Sequence, residues 1–243
     1  MRSIVPPIPN MCRTRTLARL AWVFVIAIPA LIAQPRPSAL SSPVSVLAKS
    51  VDDHYDHLRS LQAEFTETYR GSGIERAESG TLWLMKSGLK KPGKMRWEYR
   101  SPREKLFLSD GTSVWLYVKG DRQVRKTAAK KLDDVRSPLA FLLGKLKLEK
   151  ELQGLSLATD QNPVISGNQM LRGVPRGMTD QVSGVLVEIT PERQIARIVI
   201  ESADGASTEF RFDQQKENVD VPESRFQFTP PPGVETIEGG FNP

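Results

Sequence analysis

Residues 92–117 read PGKMRWEYRSPREKLFLSDGTSVWLY. The apolar side chains recur at every second position: Met95, Trp97 and Tyr99 share one face, and Arg96, Glu98 and Arg100 share the other. Period two is the signature of a half-buried strand. Ser101-Pro102 breaks the pattern, and Leu106-Phe107-Leu108 opens a second strand. Ser109-Asp110-Gly111 supplies turn chemistry, and Val114 to Val118 runs back with Trp115 and Tyr117 on one side. The segment offers no obvious nucleophile, base or metal ligand. It builds an apolar surface on a sheet.

Working outward, the same period appears along most of the chain. Ala63–Arg70 alternates through Phe65, Glu67 and Tyr69. Glu78–Met85 holds Leu82, Trp83, Leu84 and Met85, apolar on both faces, and so needs cover on both. Arg122–Lys126 reads as a short polar strand returning across Gly120-Asp121. Further strands are expected at Leu152–Thr159, Val185–Thr190, Gln194–Ser202 and Ser207–Asp213. Asp204-Gly205 joins the last two as a hairpin. Ile198 and Ile200 share a face, as do Phe210 and Phe212. Many short strands with turn signals between them predict a mainly β fold, an antiparallel sheet that is curled or barrel-like.

Two helices interrupt the strands. Pro43–Leu61 carries Val44, Leu47, Val51, Tyr55, Leu58 and Leu61 at spacings of three and four, one apolar stripe. His54 and His57 lie three apart beside Asp52, Asp53 and Asp56, a pattern we read as a solvated polar face and not as a metal site. The second helix is Ser137-Pro138-Leu139-Ala140-Phe141-Leu142-Leu143-Gly144, with an N-cap, Pro at the first position and Gly at the end. It is apolar on every side, so it must be buried or must cover something apolar.

The amino-terminal residues 1–33 read as a secretory signal. Arg13, Arg15 and Arg19 precede the apolar run Leu20–Ala33, which is short for a membrane span of roughly 20 residues. Residues 34–43 (QPRPSALSSP) form a Pro- and Ser-rich lead-in, and 44–243 are expected to fold as one domain. The chain carries 34 basic and 28 acidic residues. Four of the arginines lie in the signal, so the remainder is nearly balanced and gives little support to a nucleic-acid partner. Cys12, the only cysteine, precedes the apolar run. The exported part therefore has no disulfide, no thiolate nucleophile and no cysteine to lipidate after cleavage.

Enzyme chemistry finds no footing. The two histidines sit on the first helix, and the chain has no G-x-S-x-G elbow, no H-E-x-x-H and no phosphate-binding glycine loop. Asp133-Asp134 sits in a polar stretch beside Lys130 and Lys131, as a solvated loop would. No cofactor is expected.

The pattern G-x-L-W, then K-P-G-K-M-R-W-E-Y, then P, then S-D-G-x-x-x-W-x-Y resembles the outer-membrane lipoprotein carrier (LolA) family. SPLAFLLG stands where that family has a lid helix, and Phe226–Val234 (FQFTPPPGV) resembles its closing strand. The similarity spans about residues 44–237. It implies a curved, incompletely closed antiparallel β-barrel with helices capping the open mouth. It also implies a periplasmic, monomeric carrier that holds lipoprotein acyl chains inside.

The resemblance implies an inner-membrane ABC exporter as donor and an outer-membrane receptor lipoprotein as acceptor. On this reading Leu82, Leu84, Met95, Trp97, Tyr99, Ile198, Ile200, Phe210 and Phe212 line the cavity. Leu139, Phe141, Leu142 and Leu143 form the lid. Lys91 stands where the family often has an arginine latch, and a lysine brings fewer donors and no planar fork. The alternative is a protein of the same fold serving another lipid, such as a glycolipid, or envelope-stress signalling. A receptor is disfavoured because no cysteine follows the apolar run.

Overall fold

In the computed structural model, Ser42 starts the first helix, α1 (Pro43–His57), by accepting a hydrogen bond from Ser45 N at 3.1 Å. This satisfies one of the amide donors left open at a helix start. The structure describes residues 42–86, 93–129 and 147–239. All of them belong to one unit, Leu40–Pro243. The expected signal, the lid 138–143 and Lys91 lie outside the described residues.

α1 ends earlier than its apolar stripe suggested. Leu58 is already extended, and Leu61 belongs to the first strand. Both remain buried, because the chain turns into the sheet without leaving the core.

Twelve strands follow: β1 (Ser60–Gly71), β2 (Ile74–Met85), β3 (Lys94–Ser101), β4 (Lys105–Ser109), β5 (Ser113–Val118), β6 (Gln123–Ala128), β7 (Leu152–Leu157), β8 (Gln169–Pro175), β9 (Val182–Ile189), β10 (Ile195–Ser202), β11 (Ser207–Glu217) and β12 (Glu235–Glu238). A one-turn helix, α2 (Leu148–Glu151), leads into β7. The spatial order is β12-β6-β5-β4-β3-β2-β1-β11-β10-β9-β8-β7, a single open sheet. Among the described residues every strand pairing is antiparallel except β12 on β6. The Asp204-Gly205 hairpin is present, with Gly205 at φ 85°, a conformation that suits glycine.

Two further elements differ from the sequence reading. β8 was not anticipated; its MLRGVP run is interrupted by a glycine and a charge and offers little alternation. The closing strand is not Phe226–Val234. Phe226 ends a 3-10 turn (Glu223–Phe226), and the strand is the later Glu235–Glu238. Three consecutive prolines, Pro230–Pro232, have no amide to give a ladder.

The sheet is strongly curved. Trp97 on β3 and Phe212 on β11 are three strands apart in the order β3-β2-β1-β11, a flat distance of about 14 Å at the usual strand spacing. Their ring centroids are 6.2 Å apart. The inner faces of β1–β3 and β7–β11 therefore meet in one core, joined by Leu47, Ala48, Val51 and Tyr55 of α1.

Candidate functional site: the apolar concave face

Directly paired residues of neighbouring strands present their side chains to the same face. The pairing register therefore lays out the concave face row by row. Leu61, Leu84 and Met95 form one row, and Ala63, Leu82 and Trp97 the next. Phe65, Gly80 and Tyr99 form the third, and Phe65 continues onto Phe212 of β11. Phe210 pairs with Ile198, and Val187 extends that row onto β9.

Seven of the nine expected cavity residues are buried in the common core: Leu82, Leu84, Met95, Trp97, Ile198, Phe210 and Phe212. Tyr99 and Ile200 are partly buried and pack against it. All nine thus share one apolar surface.

Phe65 was not singled out from the sequence, yet it holds the centre. Its ring meets Trp97 at 4.6 Å and Tyr99 at 4.9 Å, both edge to face. Such pairs add stability beyond the area they bury. Its place in the Phe65-Glu67-Tyr69 alternation was the available signal.

One end of this face is closed by α1. Tyr55 is fully buried and its hydroxyl accepts from Ile195 N at 2.9 Å. Burial pushes the phenol pKa up, against the weaker downward pull of that bond. Asp52 accepts from Leu148 N at 3.0 Å, which ties α1 to α2. His54 bonds Glu217 at 2.8 Å, and His57 bonds the Asp53 carbonyl at 2.7 Å. His54 therefore ties α1 to β11, and His57 stays bonded within the helix. Among the described residues no cluster of His, Cys, Asp and Glu could hold a metal ion.

The other end turns polar on β1–β4. The Tyr99 hydroxyl donates to Glu67 at 2.8 Å, and Lys105 pairs with Glu78 at 2.8 Å while standing 3.8 Å from the centre of the Tyr99 ring. Burial pushes the Glu67 carboxyl up, against the opposing pull of the Tyr99 bond and Lys105. The charges face one another at low exposure, so the margin of the apolar face is polar but internally matched.

The convex face is sealed differently. Trp83, the residue that gives β2 its second apolar face, lies under the Arg225 guanidinium at 4.6 Å. Phe226 is buried, and Phe228 packs on Trp115 and Tyr117 at 5.6 and 5.7 Å. The motif expected to be a closing strand instead lays its aromatic residues over the outside of the sheet. A depression of about 530 Å³ beside the β3–β4 turn is lined by Arg96, Glu98, Arg100, Glu104, Lys105 and Lys119 together with Tyr99, Leu106 and Tyr117.

Residues 56–229 match the family described as outer membrane lipoprotein carrier protein LolA. The chain belongs to the LolA family. An outer-membrane lipoprotein carrier protein of Chromobacterium violaceum is 29% identical over 182 residues, covering 74% of this chain and 82% of that one. One from Alkalilimnicola ehrlichii is 30% identical, covering 77% and 81%. An uncharacterized conserved protein of Thermus thermophilus has the same fold, with a TM-score of 0.52 at 11% identity over 79% of this chain and 99% of that one. LolA proteins are non-enzymatic carriers, in keeping with a site built of packed hydrocarbon and aromatic rings. The family's carriers work in the periplasm.

Proposed function

We propose that this protein ferries lipoproteins from the inner to the outer membrane with their acyl chains held against the concave face. The observation that carries the reading is the single apolar surface shared by β1–β3 and β7–β11, in which Phe65 packs on Trp97. The signal-like residues 1–33 support export to the periplasm. An inner-membrane ABC exporter is the proposed donor, and an outer-membrane receptor lipoprotein the proposed acceptor. The carrier acts as a monomer of one folded domain, residues 44–243.

The energetics suit a carrier. Each buried methylene gains about 0.8 kcal/mol, so one long acyl chain is worth on the order of 10 kcal/mol against water. Leaving a bilayer costs nearly as much. Transfer then runs on a small difference between two large terms, and the holding site must be apolar yet easy to vacate. Leu139, Phe141, Leu142 and Leu143, apolar on every helical side, are proposed as a cover that competes with the ligand for the same surface. Lys91 is proposed as a weak latch for that cover.

A photoreactive residue at Met95 tests the reading in cells. Crosslinks to acylated lipoproteins are expected. Crosslinks to glycolipid alone would replace the cargo by another lipid, and no lipid-bearing adduct at all would refute the site.

A further inference from the structure

Trp97 is 1% exposed, and its indole Nε1 has no hydrogen-bond partner among the described residues. Two other buried polar atoms are also unpartnered, Arg172 Nε and Gln215 Oε1. Both of those side chains bond through another atom, Arg172 to Asp160 and Gln215 to the Ile195 carbonyl. Nε1 is the only polar atom of the Trp97 side chain. A buried donor left without an acceptor is costly, and native structures rarely keep one without a use.

Among the described residues the indole N–H finds no acceptor, and aromatic rings stand around it. Phe65, Phe210 and Phe212 stand around Trp97 with centroids at 4.6, 6.0 and 6.2 Å. An N–H directed at a ring returns less than one directed at an oxygen. A phenylalanine would fill an apolar core without the unmet donor.

The position of the donor along the face is equally specific. One row to one side lies Tyr99, bonded to Glu67, where the surface turns polar. One row to the other side lie Met95 and Leu84, where it stays apolar up to α1. A glyceryl ester has the same order of parts: polar head, ester carbonyl, hydrocarbon tail. The carbonyl is the one strong acceptor at the head of an acyl chain.

We propose that Trp97 Nε1 donates a hydrogen bond to the ester carbonyl of a bound acyl chain, so that the site reads esterified lipid and points the tail toward Met95, Leu84 and α1. This rests on the carrier reading, since the bond is made only by a chain on the concave face.

The test compares two probes on the purified protein: a dipalmitoyl-glyceryl peptide, and the dihexadecyl ether of the same peptide, which lacks both carbonyls. The wild type is expected to prefer the ester by roughly five- to tenfold, the worth of one net hydrogen bond. Trp97→Phe is expected to lose the preference, binding ester and ether alike whatever its affinity for either. Because that variant alters a packed core, the indole N–H proton resonance of the unaltered protein gives an independent reading. It should move downfield with the ester probe and not with the ether. Equal affinity for both probes, a preference that survives Trp97→Phe, or an unmoved resonance would overturn the proposal while leaving the carrier intact. Failure to bind either probe would overturn the carrier reading itself.

Discussion

The rings of Phe65 and Tyr99 meet edge to face at 4.9 Å above Gly80, the residue that lies between them on β2. A Cβ on Gly80 would fall 1.9 Å from the Glu98 carbonyl oxygen, a backbone atom with little freedom to retreat. The register shifts between Ser79 and Gly80, so the glycine marks the bulge at which β2 and β3 bend together.

Gly80→Ala is therefore expected to destabilise the fold by about 3 kcal/mol or more, through backbone displacement. Urea unfolding followed by Trp fluorescence measures it. A midpoint equal to that of the wild type would show that the strands absorb a Cβ at this bulge.

Tyr55→Phe keeps the packing of α1 but strands the Ile195 amide, which now bonds the phenol oxygen at 2.9 Å. An unmet buried donor costs about 1–3 kcal/mol. Loss of stability should coincide with faster hydrogen exchange at Ile195. Unchanged exchange there would detach the amide from the phenol.

Glu188 anchors the outer loop on β8–β10. It is buried and accepts from Val164 N, Ile165 N, the Asn168 amide and Arg197. Burial pushes its carboxyl up, but the four donors outweigh burial and hold the pKa below the ordinary value of 4.5. A depressed carboxyl lends stability that is present above the unfolded pKa and lost as pH falls through the folded one. Glu188→Gln is expected to cost about 3 kcal/mol at pH 7, because Arg197 stays behind with a weakened partner. The gap from wild type should close in acid, below the Glu188 pKa. A gap independent of pH would assign the loss to packing.

Glu67 carries the opposite sign. Burial raises its pKa despite the Tyr99 hydroxyl and Lys105, so the ionised form is a cost to the fold above that pKa. Wild-type stability from this group should rise as pH falls through the folded pKa. Glu67→Gln at pH 7 should be as stable as the wild type or more so. Tyr99→Phe, which removes the donor and leaves the carboxylate, should lose about 1 kcal/mol. A Glu67→Gln variant clearly weaker than wild type at neutral pH would reverse this assignment.

Leu142→Glu and Phe141→Glu test the cover. A charge there is expected to leave the sheet folded, with an unchanged far-ultraviolet circular dichroism spectrum, and to abolish co-purification of lipoprotein. Retention of cargo at the wild-type level would remove residues 139–143 from the site.

Much of the sheet is legible in the order of residues alone. β3, β4 and β5 follow from the period-two run Met95–Tyr99, from Leu106–Leu108 and from Val114–Val118, and the β10–β11 hairpin follows from Asp204-Gly205. Local alternation records which face of a strand is apolar, and turn residues record where it ends. The nine cavity residues were assigned in the same way, partly with the help of the family motif. Elements without such a signal were missed or displaced. β8 lacks alternation, and the aromatic residues of Phe226–Phe228 cover the convex face in place of forming a strand.

By itself, the chain's alternation determined that it would form a sheet with one greasy face, because side-chain direction in a strand is a local property of the backbone. Only the tertiary structure decided what that face contains. The closeness of Trp97 to Phe212, the capping of the core by Tyr55, the pairing of Tyr99 with Glu67 and the unmet Trp97 donor all join residues far apart in sequence. They arise from curvature and register, which depend on the whole sheet at once and leave no mark in any single stretch of residues.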